Sequence, residues 1–332
     1  MNVLIGDIGG TKTILAIFSS EGGPCKPLVE KSYPSLHYQV FEAMIREFLA
    51  GTSLPVDRAC FGVAGPVVAG VAKITNLTWV VDGPALKTTF GWSDVAMLND
   101  LESVAYAIPI LEAEDIHTIS AGTPLKGGSI AVLAPGTGLG EGFLTYDNGA
   151  YRAHASEGSH ASFAPAGIQQ IGLLTYLTAE GHHHVSFERV CSGGLGIPNL
   201  YAYLKTTGLE EPAWLKESLA AVEDPTPVIV GAAHDASRPC PLAVATLEMF
   251  VAILGGEAGN LALKVLSTGG IYLGGGISPR ILDDLHKSYF LEALRSKGRF
   301  RQLLTNMPVQ VILNSKAGLL GAAAFGLGST TS

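Results

Sequence analysis

One short stretch of the sequence, Asp7-Ile8-Gly9-Gly10-Thr11, places a carboxylate, two glycines and a hydroxyl between two apolar runs. This pattern predicts a β-hairpin. Glycine can take positive φ and bring bare backbone close to a ligand, so the N–H groups of Gly9 and Gly10 and the Thr11 hydroxyl can converge on an anion such as a phosphate. Asp7, at the end of a buried strand, can hold a metal-bound water. The alternative is an ordinary Gly-Gly hairpin beside a solvated Asp7.

Two further glycine clusters follow predicted strands. Residues 136–140 repeat the plan of strand, glycine turn and strand, which suggests an internal duplication. Two such halves facing each other would hold a polyphosphate from both ends. Residues 274–277 lie between a strand and a helix, where glycines allow close approach of a flat or charged ligand.

Asn99 and Asp100 stand where a short apolar strand ends and a helix begins. A carboxylate at such a position can reach into a cleft and accept a proton from a hydroxyl nucleophile. A purely structural interpretation is also open. Either residue can cap the following helix, with Glu102 completing a capping box on Asn99.

Glu157, His160 and Glu188 lie in loop-like sequence that contains glycines. Several donors and acceptors of this kind can hydrogen-bond a polar ligand. Metal binding by Glu157 and His160 and plain surface exposure are the alternatives, but the sequence offers no third nearby ligand for zinc. Residues 182–184 are three consecutive histidines, which cannot all face one ion, so a solvated loop is predicted there.

The elements that position these residues alternate between strands and helices. Strands are predicted at 59–64, 71–75, 95–98, 129–134, 141–146 and 270–273, besides the N-terminal hairpin. Helices are predicted at 38–49, 101–108, 242–266 and 280–295, with a polar connection at 19–31 and a loop at 76–79. This alternation predicts an α/β protein.

Composition limits the class of protein. The 332 residues exceed the size at which one core keeps growing, so two domains are expected. A formal charge of −8 argues against a nucleic-acid or anionic-membrane surface, so any bound phosphate must be met by local donors.

The cysteines and apolar segments favour a soluble cytoplasmic protein. The four cysteines form no paired motif, which favours reduced, buried thiols. Asp7 interrupts the first apolar run before it reaches the length of a signal peptide. The apolar segment 243–254 carries Glu248 and is too short to cross a bilayer.

Taken together, these motifs resemble the bacterial glucokinase family. The matching segments are 7–11, Leu-Asn-Asp at 98–100, Gly-Thr-Gly-Leu-Gly at 136–140, Glu-Gly-Ser-His at 157–160, Ser-Phe-Glu-Arg-Val-Cys-Ser-Gly at 186–193, Gly-Gly-Gly-Ile at 274–277, Gly-Arg-Phe at 298–300 and Lys-Ala-Gly-Leu-Leu-Gly at 316–321. They cover nearly the whole chain in order. As a set they are highly specific.

The resemblance implies an α/β, two-domain actin-like ATPase (ribonuclease H-like) fold, with a mixed sheet flanked by helices in each domain. A small domain at 1–108 would be completed by the C-terminal segment 305–332. The large domain would be 109–304. The implied reaction is phosphorylation of glucose at its 6-hydroxyl by Mg-ATP, a step of glycolysis, in two domains that close over the sugar.

The resemblance also implies roles for individual residues. Asp100 would be the general base. The sugar would be bound by Asn99, Asp100, Glu157, His160 and Glu188. The phosphates and adenosine of ATP would be bound by Gly6, Asp7, Ile8, Gly9, Gly10, Thr11, Gly136, Thr137, Gly138, Gly140, Gly274, Gly275 and Gly276. Magnesium would travel with ATP near Asp7, with no structural metal. Partners would be glucose and ATP, without nucleic acid or membrane, and a homodimer is compatible with the resemblance.

Some positions depart from the family pattern. Lys12 is more typical of the related family of sugar kinases and repressors, but the cysteine-rich zinc motif of that family is missing and no helix-turn-helix precedes Val3. Ser159 replaces a common glycine, and 180–184 differs. Another hexose kinase, a polyphosphate-using glucokinase and a non-catalytic sugar-binding regulator are the alternative functions.

Overall fold

The computed structural model describes residues 1–74 and 77–328 and forms two compact units. Unit 1 comprises Met1–Ile116, Leu144–Ala155 and Asn314–Ser332, and unit 2 comprises His117–Phe143 and Ser156–Leu313. Thr75 and Asn76, within the predicted strand 71–75 and loop 76–79, lie outside the described residues, as do residues 329–332 of the tail.

The units divide the chain at other residues than the predicted domain boundaries. Unit 2 extends to residue 313 because the strand Val309–Ile312 pairs with another strand of that unit. Unit 1 additionally contains 144–155, which the sequence placed in the large domain. The assignment of domains as such stays a prediction.

Unit 1 is built on a five-stranded sheet and a three-stranded sheet. Its strands are β1 (Asn2–Ile8), β2 (Lys12–Ser19), β3 (Val29–Pro34), β4 (Arg58–Val63), β5 (Val67–Val68), β6 (Val71–Lys73), β7 (Val80–Asp82) and β8 (Val95–Asn99). Its helices are α1 (Phe41–Ala50), α2 (Gly83–Phe90), α3 (Asp100–Ala107) and, at the C-terminus, α13 (Ala317–Leu327). The larger sheet has the order β3-β2-β1-β4-β8, and the smaller has the order β5-β6-β7.

Unit 2 is built on a six-stranded sheet in the order β12-β11-β10-β13-β14-β9, although residues 144–155 of β11 and β12 are grouped with unit 1. The strands are β9 (Ile116–Ser120), β10 (Ile130–Pro135), β11 (Leu139–Asp147), β12 (Ala150–Ser156), β13 (Gly270–Leu273) and β14 (Val309–Ile312). The helices are α4 (Ile168–Ala179), α5 (Phe187–Val190), α6 (Gly196–Thr206), α7 (Ala213–Ala220), α8 (Thr226–His234), α9 (Pro241–Val265), α10 (Leu282–Leu285), α11 (Ser288–Arg295) and α12 (Arg301–Asn306).

The two larger sheets repeat one strand order. In each, three sequential strands lie side by side, and two later strands join the edge formed by the first of the three. The added strands are parallel to that first strand: β4 pairs with β1 and β8 with β4 in unit 1, while β13 pairs with β10 and β14 with β13 in unit 2. This repetition agrees with the internal duplication predicted from the two glycine hairpins.

Each unit has its own hydrophobic core. In unit 1, Phe41, Met44 and Ile45 of α1 pack against Leu4 and Phe61 of the sheet, all less than 2% exposed. In unit 2 the core surrounds α9. Because apolar residues surround most of α9, its sequence is largely apolar, although Glu248 is exposed.

The length of α9 corrects one prediction. The apolar segment was expected to be too short to cross a bilayer, whereas the helix runs for 25 residues, with a mean hydropathy of 1.5 over an 18-residue window. By length and composition alone it meets the criterion for a membrane span. However, 72% of that window is buried inside the protein, as in the core helix of a globular domain.

Three other local predictions were wrong. The predicted polar connection 19–31 includes the first residues of β3. Most side chains of β3 are exposed, so this strand has no apolar pattern in the sequence. The helix predicted at 280–295 is a short 3₁₀ turn followed by α10 and α11, because Lys287 takes an extended conformation between the two helices. Cys25 is exposed, whereas Cys60, Cys191 and Cys240 are buried free thiols as expected.

Adjacent glycines in α9 allow a test of its packing. A Cβ atom on Gly255 would overlap the Phe290 carbonyl oxygen of α11, whereas one on Gly256 would meet no heavy atom within 4 Å. We expect Gly255→Ala to lower the free energy of unfolding by about 2–3 kcal/mol through overpacking. The matched change Gly256→Ala should raise it by up to about 1 kcal/mol through helix propensity. Urea denaturation measures both, and equal effects would contradict the close contact between α9 and α11.

Candidate active site

The parallel strands of unit 1 bring the predicted residues of that unit to one edge. In the register of the sheet, Ile8 pairs with Val63, and Val63 pairs with Asn99. The carboxyl ends of β1, β4 and β8 therefore coincide. Such an edge is where open α/β sheets bind ligands. Asp7, the N-terminal glycine turn and Asp100 all lie along it.

The N-terminal glycine turn is held by hydrogen bonds to its own backbone and to Ser35. The Gly9 N–H donates to the Lys12 carbonyl over 3.1 Å. The Ser35 hydroxyl donates to the Gly9 carbonyl over 2.7 Å, and the Ser35 N–H donates to the Thr11 carbonyl over 2.9 Å. No pattern in the sequence indicates a role for Ser35, which begins the 3₁₀ turn Ser35–His37 and is distant in the chain from the glycine turn.

The prediction that the glycines of this turn take positive φ was wrong. Neither Gly9 nor Gly10 has positive φ. A Cβ atom on Gly9 would instead lie 2.9 Å from the Lys12 carbonyl oxygen, so close approach of backbone is what requires glycine there. Gly6 is also a packing glycine, because its Cβ would lie 2.7 Å from the Phe61 ring. The Ile8 side chain is buried in the core of unit 1.

Asp7 has an unusual electrostatic environment. Burial, and secondarily the negative charge of Asp100, raises the pKa of Asp7 to about 6, against a smaller lowering by Lys12. The first turn of α13 lies beside the carboxyl group, since a Cβ atom on Gly318 would be 3.5 Å from it. A desolvated carboxyl group next to a second one is a favourable place for a cation, which relieves both costs. Gly318 was part of the family pattern, but its proximity to Asp7 could not be predicted because the two residues are distant in the chain.

The geometry at the start of α3 agrees with both interpretations of Asn99 and Asp100, helix capping and a carboxylate that a ligand can reach. The Asn99 side-chain oxygen accepts the N–H groups of Leu101 and Glu102 over 2.8 and 3.3 Å, and Glu102 accepts the Asn99 N–H over 3.4 Å. The predicted capping box is therefore present. Asp100 accepts the Leu101 N–H over 2.9 Å, and the residue is exposed. Its carboxylate is thus anchored to the helix while solvent-borne molecules can reach it.

The second glycine turn, between β10 and β11, packs on another pair of glycines. The Gly136 N–H donates to the Gly138 carbonyl over 2.8 Å. The N–H groups of Gly193 and Gly194 donate to the carbonyls of Gly136 and Thr137 over 2.7 and 2.8 Å. Thr137 therefore lies in a turn that is fixed on both sides by backbone.

The third glycine cluster contacts the second. The Gly274 N–H donates to the Leu133 carbonyl over 2.7 Å, because β10 and β13 are parallel neighbours with coincident ends. Gly275 has a φ of 74°, and a Cβ atom there would overlap the Pro135 carbonyl. Gly276 has open space where a Cβ atom would stand. Glycine at position 275 is required both by conformation and by close packing.

The predicted sugar-binding residues of unit 2 form one cluster. His160 lies between two carboxylates, with Nδ1 3.4 Å from Glu188 Oε2 and Nε2 3.8 Å from Glu157 Oε2. Glu188 also faces the glycine turn, because a Cβ atom on Gly138 would lie 2.9 Å from its Oε1. The histidine run contributes as well, since His184 Nε2 lies 2.9 Å from the His160 carbonyl oxygen. Within residues 1–74 and 77–328, no three or more His, Cys, Asp or Glu side chains are arranged to hold a metal ion.

Comparison with known proteins identifies the family. The Glucokinase family model matches residues 4–328. The chain belongs to the glucokinase family. A glucokinase from Nostoc punctiforme is 38% identical over 334 residues, with 97% of each chain covered. The solved structure of a glucokinase from an Antarctic psychrotroph is 31% identical, with a TM-score of 0.84 and coverage of 98% of this chain and 99% of that one.

Membership of this family confirms the resemblance, the actin-like ATPase fold and the activity of an ATP-dependent glucose kinase. A more distant structure has the same fold, a ROK family glucokinase from Streptomyces griseus described as a complex with glucose and AMPPNP. It is 22% identical, with a TM-score of 0.61 and coverage of 98% of this chain and 99% of that one. The roles of individual residues stay predictions.

The proximity of Asp7 and Asp100 predicts coupled titration. We expect Asp100→Asn to lower the pKa of Asp7 from about 6, since a like charge is removed, but to leave it above the ordinary value of 3.8, since burial is the larger cause. Carboxyl-carbon NMR titration of Asp7 measures this shift. Asp94→Asn, at an exposed residue before β8, is the control and should leave Asp7 unchanged. An Asp7 that titrates at its ordinary value in the unmodified protein would contradict the burial.

Proposed function

We propose that Asp100 is the general base of a glucokinase that transfers the γ-phosphoryl group of Mg-ATP to the 6-hydroxyl of glucose. The supporting observation is the edge of unit 1, where the exposed carboxylate of Asp100 lies next to Asp7 and the N-terminal glycine turn. A sugar hydroxyl is a poor nucleophile. A positioned carboxylate accepts its proton as the new oxygen–phosphorus bond forms, a contribution of about 10²–10⁴-fold in rate.

We propose further that Asp100 is held in position by the capping box of Asn99. The Asn99 side chain fixes the first turn of α3, and its Nδ2 donates to the Gly65 carbonyl over 3.3 Å. The carboxylate of Asp100 therefore projects from a rigid helix start. In phosphoryl transfer most of the rate enhancement comes from alignment and charge stabilisation, so rigidity at the base favours catalysis. Capping and catalysis are complementary roles for adjacent residues here.

The phosphates of ATP would be bound mainly by backbone. The glycine turns at 9–11 and 136–140 would supply backbone N–H groups other than those of Gly9 and Gly136, which donate within their own turns. The cluster at 274–277 would meet the adenosine. Local donors are needed because the chain carries a formal charge of −8. Turns that hold successive backbone amides provide such local sites.

Magnesium would accompany ATP near Asp7. Carboxylate oxygens are the ligands that Mg²⁺ prefers, and the raised pKa of Asp7 shows a carboxyl group whose charge lacks full compensation. When bound, the ion supplies charge neutralisation at the phosphates. Asp7 would orient the ion through a bound water, while Asp100 stays available for the sugar.

Glucose would be recognised by the cluster of Glu157, His160 and Glu188, together with Asn99 and Asp100. Two carboxylates on either side of an imidazole give a set of acceptors and donors with fixed spacing, as a polyol requires. A site that hydrogen-bonds several hydroxyls disfavours a sugar that lacks one of them, so this cluster would favour a sugar with a full set of hydroxyls.

The remaining cellular predictions follow from the activity. Glucose 6-phosphate production would place the enzyme at the entry to glycolysis, in the cytoplasm. Three buried free thiols accord with a reducing compartment. A homodimer stays a prediction.

The general base assignment is tested by Asp100→Asn in a coupled assay of ADP release with Mg-ATP. We expect kcat with glucose to fall by about 10²–10⁴-fold, since proton acceptance is lost, while the KM for glucose changes little. Thermal stability should stay close to that of the unmodified protein, because Asn99 still caps α3.

The matched control is Asp94→Asn, at an exposed residue before β8, which should leave kcat within about threefold. An Asp100→Asn enzyme with most of its activity would reduce Asp100 to a helix-start residue. Absence of glucose-dependent ADP release in the unmodified protein would favour polyphosphate as donor or a non-catalytic regulator, and substituting polyphosphate for ATP separates those two outcomes.

A further inference from the structure

Glu141 is a buried acidic residue that the proposed mechanism does not use. It lies on β11 directly after the second glycine turn and is 1% exposed. Both carboxyl oxygens lack a hydrogen-bond partner among residues 1–74 and 77–328. An unpaired carboxyl group in a protein interior is costly, so its retention calls for a physical reason.

The Glu141 carboxyl group lies against the loop that carries two of the proposed sugar-binding residues. A Cβ atom on Gly158 would be 2.5 Å from Glu141 Oε2 and 3.0 Å from the Ser156 hydroxyl oxygen. The same hydroxyl accepts the Gly158 N–H over 2.9 Å. Gly158 stands immediately after Glu157 and begins the 3₁₀ turn Gly158–His160. The backbone between Glu157 and His160 therefore rests on Ser156 and Glu141.

We propose that Glu141 is a positioning residue of unit 2, whose buried carboxyl group sets the placement of Gly158 and thereby of Glu157 and His160 for sugar binding. The inference rests on the proposed sugar-binding role of Glu157 and His160. It adds a residue that touches neither sugar nor nucleotide. Because Glu141 follows Gly140 on β11, it also joins the sugar loop to the glycine turn proposed to bind phosphate.

Burial and neighbouring charges shift the pKa of Glu141 toward neutral pH. Burial, followed by the neighbouring Glu257 of α9, raises the pKa of Glu141 to about 7, against a smaller lowering by Lys264. Glu257 is itself fully buried, and its Oε1 lies 3.7 Å from Lys264 Nζ. Burial, and secondarily the charges of Glu257 and Glu141, raises the pKa of the nearby Cys191 thiol.

The direction of the pH effect follows from these shifts. The pKa of Glu141 is raised above its ordinary value of 4.5, so the native state holds an extra proton between about pH 4.5 and pH 7. The stability that this proton provides is lost as pH rises through 7. Above that pH the carboxyl group is ionised beside Glu257 and must move or gain water. Either response displaces Gly158, so glucose should bind more weakly at higher pH.

The test compares the KM and kcat for glucose at pH 6 and pH 8.5 in the unmodified protein and in Glu141→Gln. The unmodified enzyme should show a KM at least about threefold higher at pH 8.5, with kcat altered less, as expected for a loss of ground-state placement. Glu141→Gln keeps the shape but cannot ionise. Its KM should lose this pH dependence and stay near the pH 6 value of the unmodified protein.

Two further variants separate positioning from general stability. Glu257→Gln removes the like charge that raises the pKa of Glu141, so the midpoint of the KM change should move to lower pH. A midpoint that moves to higher pH would contradict the inference. Glu217→Gln, at an exposed residue of α7, should reproduce the unmodified profile. Thermal denaturation at pH 6 confirms that each variant is folded.

The outcomes distinguish this inference from the proposed function. Glu157→Gln should raise the KM for glucose at both pH values if the sugar cluster is assigned correctly. An unchanged KM in Glu157→Gln overturns the sugar cluster and the inference together. A raised KM in Glu157→Gln, combined with the unmodified pH profile in Glu141→Gln, overturns the inference alone.

Discussion

Parallel pairing of β1, β4 and β8 in fixed register is the constraint on which the unit 1 site depends. The pairing of Ile8 with Val63 and of Val63 with Asn99 forces three strand ends to the same edge. Side chains that are about ninety residues apart in sequence thereby become neighbours. One consequence is electrostatic, because Asp7 and Asp100 are then close enough to raise the pKa of Asp7. A shift of one residue in this register would move the side chains of the shifted strand to the opposite face, so these neighbours would no longer meet.

Close backbone packing has the corresponding role in unit 2. The carbonyl of Pro135 occupies the space of a side chain at Gly275, and Glu188 occupies that space at Gly138. Glycine is required at position 275, because a neighbouring backbone carbonyl fills the space and φ is positive there. At Gly138 the neighbouring group is the end of a side chain, which can move, so the requirement for glycine is weaker.

The sequence predicted much of this organisation because the signals were local. Apolar runs ending in glycines indicated the hairpins, and the Asn99-Asp100-Leu101-Glu102 spacing predicted the capping box. The unpredicted features depend on contacts between distant segments. Ser35 under the N-terminal turn and Glu141 under the sugar loop have no local pattern, since only folding brings them to Gly9 and Gly158. The exposed strand β3 and the interruption of the helix at Lys287 were not predicted for a related reason. Tertiary context overrides weak local propensity at both places.

Buried carboxyl groups lower the stability of the folded state when they are ionised, and this acidic protein contains several. Asp7 and Glu141 both have pKa values raised chiefly by burial, and each has a second carboxyl group as the next largest cause. Such groups oppose folding when ionised, so a stable fold retains them where something else offsets the cost. For Asp7 the offset would come from a cation brought with a nucleotide. For Glu141 the proposed offset is a proton, because burial and Glu257 raise its pKa to about 7. On these proposals a bound cation would relieve the cost at Asp7 and a proton would relieve it at Glu141, although the same physical cost acts on both.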